Sequence, residues 1–216
     1  MRLALVGGTG KEGRGLAVRW ARAGHDVCIG SRDAERAVDR ASQLSHRAGV
    51  SISGAGNPEA VRGAEGVVFC VPFSAHAETL RGLVDPVADK AVIIDITVPL
   101  RPPVTRVHLP ECTSAARQAR DLLGPEAPLV TTLHHVSSTH LADPDHRIEC
   151  DVLACSDHPE AMKHALALLA DLGVNGLDAG PLENSIALES LTPVLLGLNQ
   201  RYGGRGAGIR LTGLPD

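Results

Sequence analysis

A glycine-rich segment near the start of the chain has the spacing of a phosphate-binding loop. The sequence VGGTGKEG places Gly8, Gly10 and Gly13 in the pattern G-x-G-x-x-G, directly after a short apolar run. In this pattern the first glycine permits a tight turn, the second lets the backbone approach a pyrophosphate, and the third lets a helix pack closely on a strand. Backbone N–H groups and the helix dipole attract an anion at such a helix start, so the pattern favours a dinucleotide site over a glycine turn without a ligand. The residues around the loop are Thr9, Lys11 and Glu12.

The residues after the second apolar run, residues 27–29, suit a phosphate better than a ribose diol. In dinucleotide-binding folds an acidic side chain at this place binds both ribose hydroxyls of NAD and repels the additional phosphate of NADP. Here Ser31 and Arg32 follow instead, and Arg36 lies one helical turn further on. Because a guanidinium binds phosphate through two N–H groups, the segment favours NADP over NAD. In an alternative that is compatible with this one, Ser31 or Asp33 caps the next helix and Arg32 is solvated.

The elements that position these residues follow from alternating apolar runs and helical spacing. Buried strands that alternate with helices indicate a parallel sheet with helices on both faces and right-handed crossovers. The predicted strands span residues 3–6, 27–29, 50–52, 66–71, 91–95, 128–133, 152–155 and 177–179. The predicted helices span residues 12–23, 34–44, 75–83, 159–172 and 184–202.

The expected fold class is α/β: a Rossmann-type doubly wound parallel sheet with a small C-terminal α+β region. Residues 1–150 would form an NADP-binding domain, and residues 151–216 the appended region. Helix 184–202 contains Pro193, which should kink the helix or mark a local bend. This helix is apolar around its circumference, so it either covers the sheet or makes a contact between two copies of the chain. We expect a homodimer with this helix at or near the contact.

Composition and charge exclude several classes of function. The chain has 216 residues, of which 44% are hydrophobic and 2% aromatic, and its formal net charge is -4. A nucleic acid is therefore not an expected partner, because neither a basic surface nor an aromatic stacking platform is evident. No apolar stretch approaches the ~20 residues that span a bilayer, and the residues before the glycine loop are too few for a signal peptide. We expect a cytoplasmic protein that does not associate with a membrane.

The cysteines carry no recognisable pairing pattern. Because they are scattered, odd in number and without a C-x-x-C motif, we expect reduced thiols. A metal site could be assembled from His146, Cys150 and Cys155, but their spacing fits no common zinc pattern, so no metal is expected. The cysteines are Cys28, Cys70, Cys112, Cys150 and Cys155.

Four segments resemble the NADPH-dependent reductases of coenzyme F420, also called F420H2:NADP oxidoreductases. Two of them, GGTGKEGRGLA and GSRDAERA, are similar to the family's NADP loop and ribose-phosphate site. The others are LHHVSS, after the sixth predicted strand, and DAGPLENSIALESLTPVLLGLN, near the C-terminus. The last two are the more specific, since ordinary dinucleotide domains do not carry them. The resemblance covers nearly the whole chain and implies reversible hydride transfer between NADPH and coenzyme F420, a 5-deazaflavin.

The resemblance also implies positions for particular residues around the two cofactors. Residues 151–216 would complete the deazaflavin site. The adenosine end of NADP would be held by Thr9, Gly10, Lys11 and Glu12 with Ser31, Arg32 and Arg36. The residues near the nicotinamide would be Val71, Pro72, His76 and Val98. Around the deazaflavin ring would lie His134 and Val136, with Ser138 beside NADP and Ala207 closing the pocket.

His134 is the candidate for a catalytic role. Hydride transfer between two rings needs no acid–base triad, since the cofactors carry the bond-making chemistry. A hydrogen bond from the His134 ring to a deazaflavin carbonyl would stabilise the charge that develops as hydride arrives. In the alternative, His134 packs at the strand end and bonds to the backbone.

Other functions fit parts of the sequence. An NADPH-dependent reductase of a small imine or carbonyl would commonly add a larger helical domain than residues 151–216 provide. A non-catalytic NADP sensor would use the glycine loop but would need no second-ring pocket, so the LHHVSS segment counts against it. A flavin could also replace the deazaflavin as the electron partner.

Overall fold

A single twisted sheet forms the centre of the computed structural model, which describes residues 1–214. Its strands are β1 (Arg2–Val6), β2 (Asp26–Ser31), β3 (Ile52–Gly56), β4 (Gly66–Phe69), β5 (Val92–Asp95), β6 (Leu129–Thr132), β7 (Asp151–Ser156) and β8 (Asn175–Asp178). Their order across the sheet is β3-β2-β1-β4-β5-β6-β7-β8. Neighbouring strands run parallel except for β6 and β7, which are antiparallel.

Helices connect and cover these strands. They are α1 (Lys11–Arg22), α2 (Ala34–Ala48), α3 (Asn57–Val61), α4 (Phe73–Arg81), α5 (Val84–Val87), α6 (Ala115–Leu123), α7 (Ser138–Ala142), α8 (Pro159–Asp171) and α9 (Ser185–Tyr202). Within residues 1–214, no helix combines the length and the apolarity needed to cross a bilayer.

The strand order creates a switch point between β1 and β4. The chain winds outward from β1 through β2 to β3, then returns to the other side of β1 to form β4. In open α/β sheets, ligands bind in the crevice at the carboxyl ends of the strands where the winding reverses. The glycine loop follows β1 and residues 70–72 follow β4, so both segments lie at this crevice.

Alternation along the strands supplies a core on each face of the sheet. Leu3 and Leu5 of β1 belong to one buried cluster, whereas Ala4 and Val6 belong to the other. Successive side chains of a strand point to opposite faces, so a strand buried on both sides must be apolar throughout. Helices α1 and α8 cover the first face, where the indole Nε1 of Trp20 donates to the carbonyl of Leu168 at 2.9 Å.

Arg19 of α1 holds α7 in place at the edge of the crevice. Its side chain is 8% exposed and donates to the carbonyls of His140, at 2.9 Å, and Asp143. These carbonyls lie in and just after α7, where such groups would otherwise be left without a partner. The contact therefore holds α7 against α1 and places the start of α7 beside the glycine loop.

The predicted Rossmann-type fold class is confirmed, with differences in detail. The third strand is Ile52–Gly56, later than the predicted residues 50–52, and β7 is antiparallel where a fully parallel sheet was expected. The elements that were not predicted are α3, α5, α6 and α7. Helix α9 continues through Pro193 from Ser185 to Tyr202.

Candidate active site

Two of the three motif glycines are required by the packing of the loop itself. A Cβ on Gly8 would lie 2.7 Å from the carbonyl oxygen of Leu5, and a Cβ on Gly13 would lie 2.6 Å from the Cα of Gly8. The N–H of Gly8 also donates to the carbonyls of Leu5, at 2.9 Å, and Gly30, at 3.0 Å. These glycines therefore allow the tight turn after β1 and the close approach of α1 to that turn.

Gly10 differs, because no neighbouring atom of residues 1–214 would clash with a Cβ at this position. Apart from the two chain neighbours of Gly10, the nearest heavy atom to a Cβ there would be the carbonyl oxygen of Gly7 at 3.5 Å, which is an ordinary van der Waals contact. Gly10 is the residue before α1 and lines the crevice. The space above it is therefore open for a ligand, and the N-terminal N–H groups of α1 suit a pyrophosphate. This cradle fits the dinucleotide that the motif predicts.

The segment after β2 forms a helix cap and leaves two arginines exposed. The N–H of Asp33 donates to the hydroxyl of Ser31 at 3.2 Å, and Oδ1 of Asp33 accepts from the N–H of Arg36 at 3.1 Å. Asp33 is thus the N-cap of α2, as one of the two compatible interpretations predicted. The guanidinium groups of Arg32 and Arg36 are on exposed residues, and within residues 1–214 neither forms an ion pair. They are available to a phosphate at the end of β2.

A cleft of about 450 Å³ opens at the carboxyl ends of the central strands, and we refer to it as the ring cleft. The loop after β1, the ends of β4, β5 and β6, and one side of α9 form its walls. Apolar side chains with a few polar groups line it, as is usual in sites for small molecules and cofactors. The predicted site residues that line it are Gly10, Glu12, Val71, Pro72, Val98, His134, Val136, Ser138 and Ala207. The apolar residues that complete it include Ile96, Leu133, Leu195 and Leu196.

His134 lies in the wall of the ring cleft just after β6. The preceding Leu133 has a φ of 65°, a left-handed conformation uncommon for a residue other than glycine, and this turns the chain at the end of the strand. The hydroxyl of Thr192, on α9, donates to the carbonyl of His134 at 2.7 Å. Helix α9 therefore holds the turn that carries the imidazole.

The ring of His134 is neutral and only partly hydrogen bonded. Its Nε2 lies 2.9 Å from the hydroxyl oxygen of Thr131, whereas its Nδ1 is buried and has no partner within residues 1–214. Burial lowers the pKa of His134 to about 3, against a smaller opposing effect of the Asp95 charge. A buried polar atom without a partner is unusual in a folded protein, and a polar group on a ring bound in the cleft would supply the missing partner. This residue therefore also fits a second cofactor.

His76, which was predicted to lie near the nicotinamide, is not part of the lining of the ring cleft. Its imidazole is fully buried behind the cleft wall, with Nε2 2.7 Å from Oδ2 of Asp95 and Nδ1 2.9 Å from Oε1 of Gln118. Burial alone would lower the pKa of His76, but the charge and hydrogen bond of Asp95 outweigh it and raise that pKa. His76 therefore contacts Asp95 and Gln118 behind the cleft wall, and its place near the nicotinamide stays a prediction.

The C-terminal segment closes one side of the ring cleft through contacts that the sequence pattern did not indicate. The N–H of Ala207 donates to Oδ1 of Asn199 at 3.0 Å, and the hydroxyl of Ser137 donates to the carbonyl of Arg205 at 3.2 Å. Further on, the N–H of Leu211 donates to a carboxylate oxygen of Asp151 at 2.6 Å. These contacts bring Ala207, which was predicted to close the pocket, to the cleft wall.

Within residues 1–214 no group of three or more His, Cys, Asp or Glu side chains is placed to hold a metal ion. All five cysteines are free thiols. Cys150 directly precedes β7, and Cys155 lies near the end of that strand.

Comparison with known proteins agrees with this geometry. Residues 2–99 match the family model described as NADP oxidoreductase coenzyme F420-dependent. The chain is 40% identical to the F420-dependent NADP reductase of Methanothermobacter thermautotrophicus over 225 aligned positions, which cover 100% of this chain and 97% of the relative. It is 38% identical to the reductase of the same name from Methanothermobacter marburgensis, with 100% of both chains covered.

A solved structure supports the same assignment along the full length. The crystal structure of a protein assigned as an F420-dependent NADP-reductase, from Arthrobacter sp. FB24, superposes with a TM-score of 0.83 at 26% identity. The match covers 99% of this chain and 100% of that chain. Because reductases of this name match the chain from end to end at 38–40% identity, the chain belongs to the family of F420-dependent NADP reductases.

Proposed function

We propose that this protein transfers hydride reversibly between NADPH and coenzyme F420. The observation that carries the proposal is that a single cleft joins the start of α1 at Gly10 to an apolar wall formed after β4, β5 and β6. A dinucleotide on the glycine loop brings its nicotinamide to this wall, and the remaining space suits a second flat ring. The family supplies the identity of that ring, since the relatives matched end to end are named F420-dependent NADP reductases.

The residues of the chain bind, orient and shield the two substrates. Arg32 and Arg36 neutralise the ribose phosphate of NADP, and Gly10 leaves room for the pyrophosphate at the start of α1. Val71, Pro72 and Val98 form the nicotinamide wall, with Val136 against the deazaflavin. The remaining predicted contacts are Gly8, Thr9, Lys11, Glu12, Gly13 and Ser31 around the dinucleotide, with Ser138 and Ala207 at the rim.

The chemistry of the step belongs to the two substrates, which supply a hydride donor at nicotinamide C4 and an acceptor at deazaflavin C5. The protein contributes by holding the reacting carbons ~3–3.5 Å apart and by keeping water out of the cleft. Apolar side chains at the ends of β4, β5 and β6 serve both purposes. The hydride itself moves without a proton donor, and the negative charge that it brings to the deazaflavin is balanced by one proton from solvent.

A reductase of imines or carbonyls fits the ring cleft less well. Such a reaction needs a proton on the substrate nitrogen or oxygen as well as a hydride at carbon, and an efficient donor has a pKa near the working pH. The imidazole of His134, with its pKa lowered to about 3, is a poor source of that proton. Solved pyrroline carboxylate reductases share the fold at 13–16% identity, and this shows the fold alone.

A direct assay decides between these functions. Purified protein is mixed with NADPH and oxidised coenzyme F420, and the visible absorbance of the deazaflavin is followed, with riboflavin and 1-pyrroline as alternative acceptors. We expect F420 to be reduced, and deuterium placed at C4 of NADPH to appear at C5 of the product. Rapid reduction of the flavin or the imine with F420 left oxidised would reject the proposal, as would loss of the deuterium to solvent.

The assembly and the location of the enzyme are part of the same proposal. We infer a homodimer, in the cytoplasm, with no nucleic acid or membrane as partner. Residues 1–150 would form the NADP-binding domain, and residues 151–216 would complete the deazaflavin site and carry the dimer contact. Support for the contact comes from α9, on which Val194, Leu198 and Tyr202 are 47%, 39% and 76% exposed. Support for the cytoplasm comes from five cysteines that are all free thiols.

A further inference from the structure

The hydroxyl of Thr131 lies between the carbonyl of Asp95, which can only accept a hydrogen bond, and the imidazole of His134, which can accept or donate one. Its oxygen is 3.2 Å from the carbonyl oxygen of Asp95 and 2.9 Å from Nε2 of His134, and Thr131 is fully buried. A threonine hydroxyl has a single proton to donate, whereas a backbone carbonyl can only accept. If the proton goes to Asp95, the contact with His134 is a hydrogen bond only when Nε2 carries the proton.

The opposite arrangement places two buried oxygens together without a proton and leaves one buried N–H group without an acceptor. If the hydroxyl donated to Nε2, the oxygen of Thr131 would face the carbonyl of Asp95 with no proton between them. The neutral ring of His134 would then carry its proton on Nδ1, which has no acceptor within residues 1–214. Buried N–H groups without an acceptor are rarer in proteins than acceptors without a donor. The tautomer of His134 with its proton on Nε2 is therefore favoured, because it leaves no buried N–H group without an acceptor.

We infer that Thr131 is a positioning residue that fixes His134 as the Nε2–H tautomer and leaves Nδ1 as a hydrogen-bond acceptor for an N–H group of the bound ring. This inference rests on the proposed function for the identity of the ring. The pyrimidine ring of a deazaflavin has an N–H between two carbonyl groups, and a flavin has the same group. The role differs from the donation to a carbonyl that the sequence suggested, because the only ring proton is already used by Thr131.

The tautomer can be measured without any substrate. Protein labelled with ¹⁵N in its histidines is studied by long-range ¹H–¹⁵N NMR at neutral pH, and the His134 signals are identified by their loss in His134→Gln. We expect a protonated Nε2 and an unprotonated Nδ1 in the wild type. Thr131→Ser, which retains the hydroxyl, should preserve this pattern, whereas Thr131→Val should abolish the single fixed tautomer.

Thr132 provides a matched control on the same strand. It is also fully buried, and its hydroxyl donates to the carbonyl of Leu153 at 2.8 Å, away from His134. Thr132→Val removes a buried hydroxyl of the same kind and should leave the His134 tautomer unchanged. A protonated Nδ1 in the wild type, or the same tautomer in Thr131→Val, would overturn the inference.

The claim that Nδ1 of His134 accepts a hydrogen bond from the bound ring is tested with two compounds. They are 5-deazariboflavin and its analogue methylated at the pyrimidine N–H. In fluorescence titrations with NADP present, we expect the wild type to bind the unmethylated compound about tenfold more tightly, the scale of one net hydrogen bond. His134→Ala should lose this discrimination, and Thr131→Val should reduce it, while Thr132→Val keeps it. Equal binding of both compounds by the wild type, or binding of neither, rejects the acceptor role. An enzyme inactive with F420 but with the expected NMR pattern and discrimination would contradict only the proposed function.

Discussion

The imidazole Nε2 of His76 lies 2.7 Å from Oδ2 of Asp95, and both side chains are shielded from solvent behind the ring cleft. Nδ1 of His76 lies 2.9 Å from the side-chain oxygen of Gln118, so both ring nitrogens have acceptors. Burial lowers the pKa of His76, but the Asp95 charge and the two hydrogen bonds outweigh burial and raise that pKa, which favours the imidazolium. Burial opposes ionisation of Asp95, but the His76 charge and the N–H of Thr97 outweigh it and lower the pKa of Asp95. This buried pair joins α4 to the end of β5 and supports the segment after β5 that carries Val98 to the cleft.

Removal of one partner of this pair should strongly destabilise the fold. In Asp95→Asn the buried ring of His76 would lose its countercharge, so it would either keep its proton at a large desolvation cost or release it and lose the ionic contact. We expect the free energy of unfolding to fall by about 3–5 kcal/mol. Urea denaturation followed by circular dichroism measures the change. Asp85→Asn, at an exposed position on α5, is the control and should differ little from the wild type. Wild-type stability in Asp95→Asn would show that the pair is not ionic.

Arg32→Ala should weaken NADPH and leave NADH almost unaffected. Arg32 is exposed at the end of β2 and has no ion-pair partner within residues 1–214, so its guanidinium is free to bind the ribose phosphate that only NADPH carries. The expected loss for NADPH is about 1.5–3 kcal/mol, the scale of a charge-assisted hydrogen bond. Titration calorimetry with both cofactors measures it, with Arg81→Ala on α4 as the control. Equal losses for both cofactors would contradict the assignment.

The glycine loop separates a binding defect from a folding defect. Among the described residues other than its chain neighbours, a Cβ on Gly10 meets no atom closer than 3.5 Å. Gly10→Val should therefore fold with a melting temperature close to that of the wild type and yet fail to bind NADPH. Gly13→Ala places its Cβ 2.6 Å from the Cα of Gly8 and should cost about 1–3 kcal/mol of stability through overpacking. Calorimetry and thermal melting of both variants test the contrast. Tight NADPH binding by Gly10→Val would place the dinucleotide elsewhere.

Glu189 should make the free energy of unfolding fall as the pH rises from 4.5 to about 8. Its carboxylate, 3% exposed on α9, accepts from the N–H groups of Ala115, at 2.7 Å, and Ala116, at 3.0 Å, at the start of α6. Burial raises the pKa of Glu189 to about 8, while these two N–H bonds and His76 act in the opposite direction and Asp95 adds to the rise. The folded protein therefore holds a proton that the unfolded chain has released.

The sign follows from a folded pKa above the unfolded value of 4.5. The stabilisation from the proton on Glu189 is complete below pH 4.5 and is lost as the pH rises to about 8. Glu189→Gln cannot titrate, so between about pH 5 and about pH 9 its stability relative to the wild type should rise by a few kcal/mol. Urea denaturation at both pH values tests this, with Glu149→Gln, an exposed position, as control. A constant difference between variant and wild type would mean that Glu189 has an ordinary pKa in the fold.

Most of the sheet and the glycine loop were predictable because their signals are local. Strands β1, β4 and β5 are short apolar runs, buried on both faces, and the G-x-G-x-x-G spacing lies within a single turn and helix start. Helices α3, α5 and α7 span five residues or fewer, too few for helical periodicity to be recognised. The antiparallel direction of β7 depends on the path of the chain through α7 and not on the strand's own residues.

The supporting contacts of the site were not predictable for a different reason. Glu189 and Ala115 are 74 positions apart, and Thr192 and His134 are 58 apart, so no spacing in the sequence relates them. His76 was predicted beside the nicotinamide from the family resemblance, but only the fold shows that Asp95 and Gln118 use both of its ring nitrogens. Neither the composition nor the spacing of polar residues indicates which of their side chains are buried next to one another.

The exposed face of α9 should determine the oligomeric state. Val194, Leu198 and Tyr202 are spaced four residues apart, so they lie along one side of the helix, and all three are exposed. An apolar row of this kind on a surface helix is an expected contact between copies related by twofold symmetry. A charge in the middle of that contact would be buried against its own copy, so Leu198→Glu should convert a dimer into a monomer. Multi-angle light scattering at micromolar concentration measures the mass, and Leu211→Glu, at an exposed leucine outside α9, is the control that should remain dimeric. A wild-type protein with the mass of one chain, or a Leu198→Glu variant that stays dimeric, would show that this row is not the contact.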